Sequence, residues 1–260
     1  MKRAYNFLKK TSGKPVKVLL TLKTFAKTDT EIQIICAESS KSANFAIYVD
    51  RKVVGKGIQT VEISLPLAPK GVLAVRLNSK NMFEVVGFEV VPLIIPTFQA
   101  SADTLGFFAH VLPILEDLNS IAPGMYVDMQ HNHPVTISNQ IKNRDTGAVM
   151  QTPARVSRQT GQVELSKDKM RNYSVSMRVF ILCHERSHFE LNSSDEIECD
   201  LNGLKWYLAL GFPKIEAVYA ATKVFNAKNP SAIQIQRTEI LIDFIKNFNQ
   251  ETAQYDNGFC

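Results

Sequence analysis

The sequence predicts an α+β protein, with an antiparallel β-sandwich over residues 1–95 followed by a mainly helical domain over residues 101–260 that holds a small β-hairpin. Between residues 16 and 93, short segments alternate apolar and polar residues, as half-buried strands require. After residue 101, apolar residues recur at helical spacing instead. A composition of 45% hydrophobic and 21% charged residues is that of a globular protein and excludes a mainly disordered, collagen-like or coiled-coil chain.

Six segments carry the strand pattern. In residues 17–23 and 60–65, Val, Leu and Ile alternate with polar residues, which gives each strand one buried face. Turn residues, including Asp50–Arg51 and Asn78–Ser79, separate strand-like runs. Several short strands without intervening helices indicate an antiparallel sandwich or a jelly-roll-like module. The predicted strands are Val16–Phe25, Glu31–Ala37, Phe45–Val54, Val61–Leu67, Val72–Leu77 and Phe83–Val91.

The strand pattern ends at a proline-containing segment. Pro92, Pro96 and the small polar residues that follow mark the domain boundary. Asp103 is predicted to cap a helix over Thr104–Ser120, in which Pro113 would produce a kink.

The second domain also carries a hairpin signal. Residues 155–157 and 162–166 have strand character and flank a turn at 159–161 that contains a glycine. From residue 174 to residue 250, the pattern is helical in three or four pieces.

One motif in this helical stretch carries chemistry. His184, Glu185 and His188 match the pattern H-E-x-x-H, and the apolar segment Val175–Cys183 leads directly into it. Two histidines four residues apart lie on one face of a helix and can bind the same metal ion. Because a buried helix that carries two imidazoles and a carboxylate is costly without a partner, the motif predicts a zinc site.

A third ligand is predicted from the acidic segment 192–200, which has four acids in its last six positions. Ser193 precedes Glu196 by three residues, a capping-box spacing that predicts the start of a second helix. Glu196 and Asp200 would then lie one turn apart on the same face of that helix.

These residues resemble the gluzincin metallopeptidases, which pair H-E-x-x-H on one helix with a glutamate on the next. The resemblance implies that His184, His188 and Glu196 bind Zn²⁺ and that Asp200 supports a histidine ligand as a second-shell residue. It also implies that Glu185 is the general base, which takes a proton from zinc-bound water for attack on a peptide carbonyl.

The resemblance covers residues 153–213. Within it, the hairpin resembles the edge hairpin of zincin domains, along which an extended peptide can add as a strand. It implies a zincin-like helical domain with a peptide or protein substrate.

Other assignments within the motif stay open. Only seven residues separate His188 from Glu196, which is short for a gluzincin, so Asp195, Glu198 or Asp200 could be the third ligand instead. The metzincin pattern fails because the required glycine and third histidine are missing after His188. The candidates for a transition-state stabiliser are Tyr207 and Tyr219, and Arg186 occupies a variable position of the motif.

The remaining histidines, cysteines and aromatic residues have structural explanations. His131 and His133 are expected in a solvated loop, and His110 is expected to be a hydrogen-bonded core histidine. Cys183 and Cys199 are expected to pack as small hydrophobic residues. The second helix should bury Trp206, Tyr207 and Leu210.

Charge and cysteine usage limit the partners and the compartment. The net charge is +5, and the segment from Lys2 to Lys27 has eight basic residues and no acid, which predicts a solvated basic segment. No nucleic-acid-binding motif accompanies it, so DNA or membrane binding is the weaker interpretation. The sequence shows no signal-peptide pattern and no membrane span. None of its cysteines, including Cys36 and Cys260, has CxxC spacing. We therefore expect a cytoplasmic protein with reduced thiols.

A rival hypothesis assigns an assembly role. Residues 184–215 also resemble putative peptidases of tailed bacteriophages, and a β-sandwich fused to such a domain would suit a virion ring or tail subunit. That resemblance implies homo- or hetero-oligomeric assembly through the β-module, in the host cytoplasm or the virion. With no acid, histidine or nucleophile cluster of its own, the β-module is expected to dock or position the second domain.

Overall fold

The computed structural model describes residues 1–39, 45–95, 100–128, 133–220, 222, 231–249 and 254–255. It confirms a mixed fold of helices and strands with an antiparallel N-terminal sheet. The strands of this sheet are β1 (Lys2–Lys10), β2 (Val16–Thr24), β3 (Thr30–Glu38), β4 (Ile47–Gly55), β5 (Ile58–Leu65) and β6 (Val72–Pro92). Their order in the sheet is β4-β3-β6-β2-β5, and β1 also pairs with β6.

Strand β6 organises the N-terminal sheet. Its first part pairs with both β1 and β3, and its second part pairs with β2. The turn predicted at Asn78–Ser79 is wrong, because the strand continues through these residues while the Ser79 hydroxyl donates to the carbonyl of Glu31. The turn predicted at Asp50–Arg51 is also wrong, since both residues lie within β4.

The six strands form one curled sheet, and an arrangement of two packed sheets is not confirmed. Curling brings side chains from both parts of β6 into one core, including Leu77 and Phe83. The rings of Phe7 on β1 and Phe88 on β6 stack with their centroids 4.3 Å apart. The period-two pattern specifies one buried face for each strand, but it does not specify how many sheets the strands form.

The basic N-terminal segment contains strands β1 and β2 of the sheet. On β1, Lys2, Lys9 and Lys10 are exposed to solvent, as predicted, while Tyr5 and Phe7 are half-buried against the sheet core. Lysines on a strand that pairs along one side discourage association with further strands. The prediction missed β1 because its basic residues outweighed the alternating Tyr5 and Phe7.

The second region combines helices with a four-stranded sheet. Its elements are α1 (Ala102–Glu116), β7 (Gly124–Asp128), β8 (His133–Ser138), β9 (Ala154–Val156), β10 (Val163–Ser166), α2 (Lys167–Met170), α3 (Val175–Glu190), α4 (Glu196–Ala209), α5 (Lys214–Tyr219), α6 (Ala232–Asn247), β11 (Phe248–Asn249) and β12 (Gln254–Tyr255). The strand order in the four-stranded sheet is β7-β8-β10-β9. The predicted hairpin is confirmed as β9 and β10, but β10 also pairs in parallel with β8, so the region has more sheet than a single hairpin.

The first helix of this region starts earlier than predicted. Ser101, not Asp103, is the N-cap of α1, and its hydroxyl accepts the backbone N–H of Thr104. Pro113 lies within the helix, which ends at Glu116. Residues 96–99, where the predicted domain boundary falls, lie outside the described residues.

The two regions meet along strand β4. Glu216 of α5 accepts the backbone N–H of Asp50 at 3.1 Å and pairs with Arg51 at 2.5 Å, which covers part of the sheet edge. The Tyr48 hydroxyl donates to Glu116 at 2.7 Å. Val175 of α3 packs into the core of the N-terminal sheet. Over the described part of the chain, no helix is long and apolar enough to cross a membrane.

Candidate metal centre

The H-E-x-x-H residues lie on α3, as predicted. Ser174 caps this helix by accepting the backbone N–H of Met177, and the apolar residues that follow are buried. The side chains of His184 and His188 are 7% and 14% exposed, respectively. The helix therefore presents two imidazoles on one largely buried face.

Helix α4 crosses α3 at very short range, because Gly203 lies where the helices touch. A Cβ atom added at Gly203 would lie 2.8 Å from the backbone nitrogen of His184. Real Cβ contacts are essentially never this close, so any larger residue would push the helices apart. The glycine thus sets the distance between α4 and the histidines of α3.

The start of α4 places two carboxylates at this crossing. Asp195 is the N-cap and accepts the backbone N–H groups of Ile197 and Glu198. The capping box predicted for Ser193 is therefore wrong, and the Ser193 hydroxyl instead accepts the N–H of Asp195. Glu196 lies in the first turn of the helix and Asp200 one turn later.

His184, His188 and Glu196 form a group that could hold a metal ion. Their ligand atoms all lie within 4.8 Å of one another. The two Nε2 atoms are 3.1 Å apart. The carboxylate of Glu196 lies 3.6 Å from Nε2 of His184 and 3.8 Å from Nε2 of His188.

The contacts of the two Nδ1 atoms favour a cation between the imidazoles. His184 Nδ1 lies 2.8 Å from Asp200 Oδ1, and His188 Nδ1 lies 2.9 Å from the carbonyl of Ser193. If each Nδ1 donates to its oxygen, each Nε2 directs a lone pair into the group. Two lone pairs and a carboxylate repel one another unless a cation lies between them. With zinc–nitrogen bonds of about 2.0–2.1 Å, tetrahedral ligand atoms lie roughly 3.3 Å apart, close to the 3.1 Å observed.

Asp200 supports this arrangement from behind. It is fully buried and pairs with His184 and with the Nε of Arg237 on α6. Burial alone would raise the pKa of Asp200, but hydrogen bonds from His184 and Arg237 hold it below its usual value. Burial lowers the pKa of His184, but the hydrogen bond and charge of Asp200 outweigh it and raise the pKa overall.

Arg237 is a site residue that the sequence did not reveal. Its NH2 group lies 3.2 Å from Glu196 Oε2, so one guanidinium contacts both acidic residues of the site. It comes from a helix 41 residues beyond Glu196, and no local pattern links the two. Gly203 was not predicted to shape the site either, although an isolated glycine inside a helical pattern is a signal of close packing.

Glu185 lies beside the group and faces strand β9. Burial raises the pKa of its carboxyl to about 7. The charge of His184 lowers this pKa, and the charge of Glu196 raises it. The backbone N–H of Val156 on β9 donates to this carboxyl. A carboxylate with a pKa near neutrality can both accept and return a proton at physiological pH.

The three other acids considered as the third ligand lie outside the metal group. Asp195 is engaged as the N-cap, and Glu198 is exposed. Asp200 contacts the Nδ1 of His184, on the opposite side of the ring from the group. Among the described residues, His184, His188 and Glu196 are the one set of metal-ligand types close enough to share an ion.

Several residues near the site differ from expectation. Cys183 is a buried core residue, as predicted, but the Sγ of Cys199 lies 3.1 Å from Nδ1 of His188 and thus contacts a candidate ligand. Burial raises the pKa of the Cys199 thiol to about 11, so it is protonated at neutral pH.

The other histidines lie elsewhere. His133 begins β8 and is buried against Phe107, with its Nε2 3.1 Å from the carbonyl of Asp103, so the predicted solvated loop is wrong there. His131 lies outside the described residues, as does Cys260. His110 is half-buried, but its Nε2 has no hydrogen-bond partner among the described residues, unlike the prediction.

The candidate stabilisers Tyr207 and Tyr219 are not at the metal group. Tyr207 is fully buried and donates to the carbonyl of Pro213. Tyr219 lies under the guanidinium of Arg51, 3.6 Å from the ring centroid. Arg186 is buried and pairs with Asp103 and Glu190. Trp206 and Tyr207 are core residues, as predicted, and Leu210 packs against the same core.

The chain matches no protein-family model and no curated protein. Among solved structures, it is similar at 14% identity to a chain described as "CBM4 structure and function", with a TM-score of 0.28, over 35% of this chain and 61% of that one. A second match is the Clostridium thermocellum endo-1,4-beta-D-xylanase 10B (CBM22-1-GH10 modules, complexed with xylohexaose), at 10% identity and a TM-score of 0.26, over 77% and 44% of the two chains. The chain thus spans less than two thirds of either protein.

Proposed function

We propose that this protein is a zinc-dependent metallopeptidase-like hydrolase. The observation that carries the proposal is the convergence of two imidazole Nε2 atoms and one carboxylate beside a glutamate on the same helix. Nitrogen and carboxylate donors in this number suit zinc, and three protein ligands leave a fourth position for water. Divalent zinc, when bound, would lower the pKa of water and polarise a carbonyl group.

Glu185 is proposed as the general base. Its carboxylate would accept a proton from water and return that proton to the amine that leaves when a peptide bond is broken. A pKa of about 7 fits both steps. Asp200 would hold His184 with its Nε2 directed at the ion, and Arg237 would fix the carboxylates of Glu196 and Asp200 in position.

The proposed substrate is an extended peptide. Strand β9 pairs on one side with β10, and its Val156 N–H points away from β10 toward Glu185. A peptide added along this edge would bring its backbone close to the general base.

Cleavage of a mixed peptide library by three variants tests this proposal. Glu185→Gln should lower the cleavage rate by about 10²–10⁴-fold, because general-base catalysis contributes that much. Glu198→Gln, an exposed glutamate on α4 outside the metal group, serves as the matched control and should cleave like the wild type.

His188→Ala should lose both zinc and cleavage. Equal cleavage by the wild type and Glu185→Gln would rule out the assigned base. Zinc binding by a wild type that cleaves no peptide would leave a metal-binding protein without the proposed activity.

We also propose that the N-terminal sheet serves assembly, as the bacteriophage resemblance implies. Large apolar side chains are exposed on four of its strands, and association through them would remove this apolar surface from water. Light scattering should then show a homo-oligomer or, with a second protein, a hetero-oligomer, and a monomer under all conditions would contradict this role. The exposed apolar residues are Leu8, Val54, Ile58, Met82 and Val86.

A further inference from the structure

A cavity of about 140 Å³ lies where strand β4 meets the N-terminal end of α3. Its walls include three arginines, Arg51, Arg171 and Arg178, and one carboxylate, that of Asp50. Amide, phenol and hydroxyl groups and the apolar side chain of Ile47 complete the lining. The cavity lies at the opposite end of α3 from the metal group.

The most buried of the three arginines, Arg178, has no carboxylate among its hydrogen-bond partners in the described residues. Its side chain is buried and donates to the carbonyls of Met170 and Leu115 and to the amide oxygen of Asn119. These acceptors satisfy its N–H groups but do not cancel its charge. Burial lowers the pKa of Arg178 to about 10, so it is still charged at neutral pH.

The other two arginines are incompletely balanced. Arg51 pairs with the buried Glu216, but its Nε atom is buried without a hydrogen-bond partner in the described residues. Arg171 is exposed, and its nearest ion-pair partner, Asp168, lies 4.0 Å away, the outer limit of such a contact. Asp50 itself accepts a hydrogen bond from Gln33. The residues that line the cavity therefore carry three positive charges and one negative charge, and Glu216, which is not a lining residue, adds a second negative charge beside Arg51.

The backbone adds to this excess. Ser174, the N-cap of α3, lines the cavity, so the positive end of a 16-residue helix is adjacent to the three guanidinium groups. Guanidinium groups and helix N-termini both bind the oxygens of phosphate and similar anions. Because a cavity holds a water molecule once about 10–15 Å³ is open to the centre of a water-sized probe, this cavity has room for an ion of phosphate size.

We propose that this cavity is a binding site for a tetrahedral oxyanion such as phosphate. Bound there, the anion would contact Arg51 on β4 together with Arg171 and the start of α3. It would thereby join the N-terminal sheet to the helix that carries His184 and Glu185. The inference does not depend on the proposed hydrolase activity, because none of the cavity residues belongs to the metal group.

Phosphate titration of the full chain, purified without chelators, tests the proposal. The readouts are calorimetric Kd and melting temperature, with sodium chloride at equal ionic strength as the reference. We expect saturable binding and a rise in melting temperature with phosphate beyond that with chloride. Arg171→Gln should weaken phosphate binding by about tenfold or more, because it removes one charge-assisted contact. Arg171 is exposed, so its substitution leaves the core intact.

Arg158→Gln is the matched control, since Arg158 is an exposed arginine outside the cavity lining. It should bind phosphate like the wild type. An unchanged Kd in Arg171→Gln, an equal loss in Arg158→Gln, or no saturable phosphate binding by the wild type would each overturn the proposal. Phosphoserine, compared with serine, separates the two sources of the anion. Binding tighter than that of phosphate indicates the phosphate group of a larger molecule, and weaker binding indicates the free ion.

Discussion

The two ends of helix α3 have opposite electrostatic character. Its N-terminal end, from Ser174 to Arg178, lines a cavity with more positive than negative charge. Its C-terminal half carries His184 and His188, which face the carboxylates of Glu196 and Asp200. This arrangement follows the helix dipole, which favours anions at the N-terminus and cations at the C-terminus. One buried helix can therefore support two sites for ions of opposite sign.

The ends also differ in how their buried charges are satisfied. Asp200 has two cationic or potentially cationic partners, His184 and Arg237. Arg178 has three neutral oxygen partners instead. A buried charge without a counter-charge is costly, which is why a ligand of opposite charge should stabilise this end most.

The largest stability effect is expected from Gly203→Ala, which acts on the C-terminal half alone. The added Cβ would meet the backbone of His184 at 2.8 Å, so α4 must move away from α3. We expect a loss of about 1–3 kcal/mol in unfolding free energy, the usual cost of overpacking. Zinc affinity should fall as well, because Glu196 moves with α4. Chemical denaturation and a competitive zinc titration measure the two effects, and an unchanged zinc affinity would contradict the proposed close fit.

A smaller effect is expected from Asp200→Asn, which keeps the shape of the side chain and removes its charge. The loss weakens the orientation of His184, and metal affinity should fall about 10–100-fold. The phosphate affinity of the other end of α3 should not change. A competitive zinc titration beside a phosphate titration separates the two ends, and equal losses in both would argue for general unfolding.

The smallest effect is expected from Glu216→Gln, which acts near the N-terminal end. Burial raises the pKa of Glu216 to about 7, although Arg51 opposes this shift. The raised pKa means that the protonated carboxyl stabilises the fold, fully below its unfolded pKa of about 4.5, and that this stability is lost as pH rises through 7. The neutral Gln variant should therefore gain stability relative to the wild type as pH rises from 4.5 to 7, and loss of the ion pair with Arg51 offsets part of this gain. Denaturation at several pH values measures this, and a difference that does not vary with pH would contradict it.

Local sequence patterns predicted the elements that form by short-range contacts. The i, i+4 spacing placed His184 and His188 on one helical face, and the same spacing placed Glu196 and Asp200 on another. Boundaries were less accurate, because Asp195 caps α4 where Ser193 was expected and Ser101 caps α1 where Asp103 was expected. Competing Ser and Asp side chains in one short segment give nearly equal capping signals.

Long-range contacts were not predictable from these patterns. The parallel pairing of β10 with β8, the course of β6 through Asn78–Ser79 and the contact of Arg237 with Glu196 each join residues that no local pattern relates. The cavity at Arg178 is a further example, since its walls come from β4, the turn after α1, the loop before α3, α3 itself and α5.

The C-terminal half of α3 is proposed to bind a divalent metal ion through His184, His188 and Glu196. Elemental analysis of the protein purified without chelators measures this binding, with Glu185→Gln and His188→Ala analysed in parallel. We expect about one zinc ion per chain in the wild type and in Glu185→Gln, and loss of zinc in His188→Ala. No zinc in any sample, or equal zinc in the wild type and His188→Ala, would contradict it.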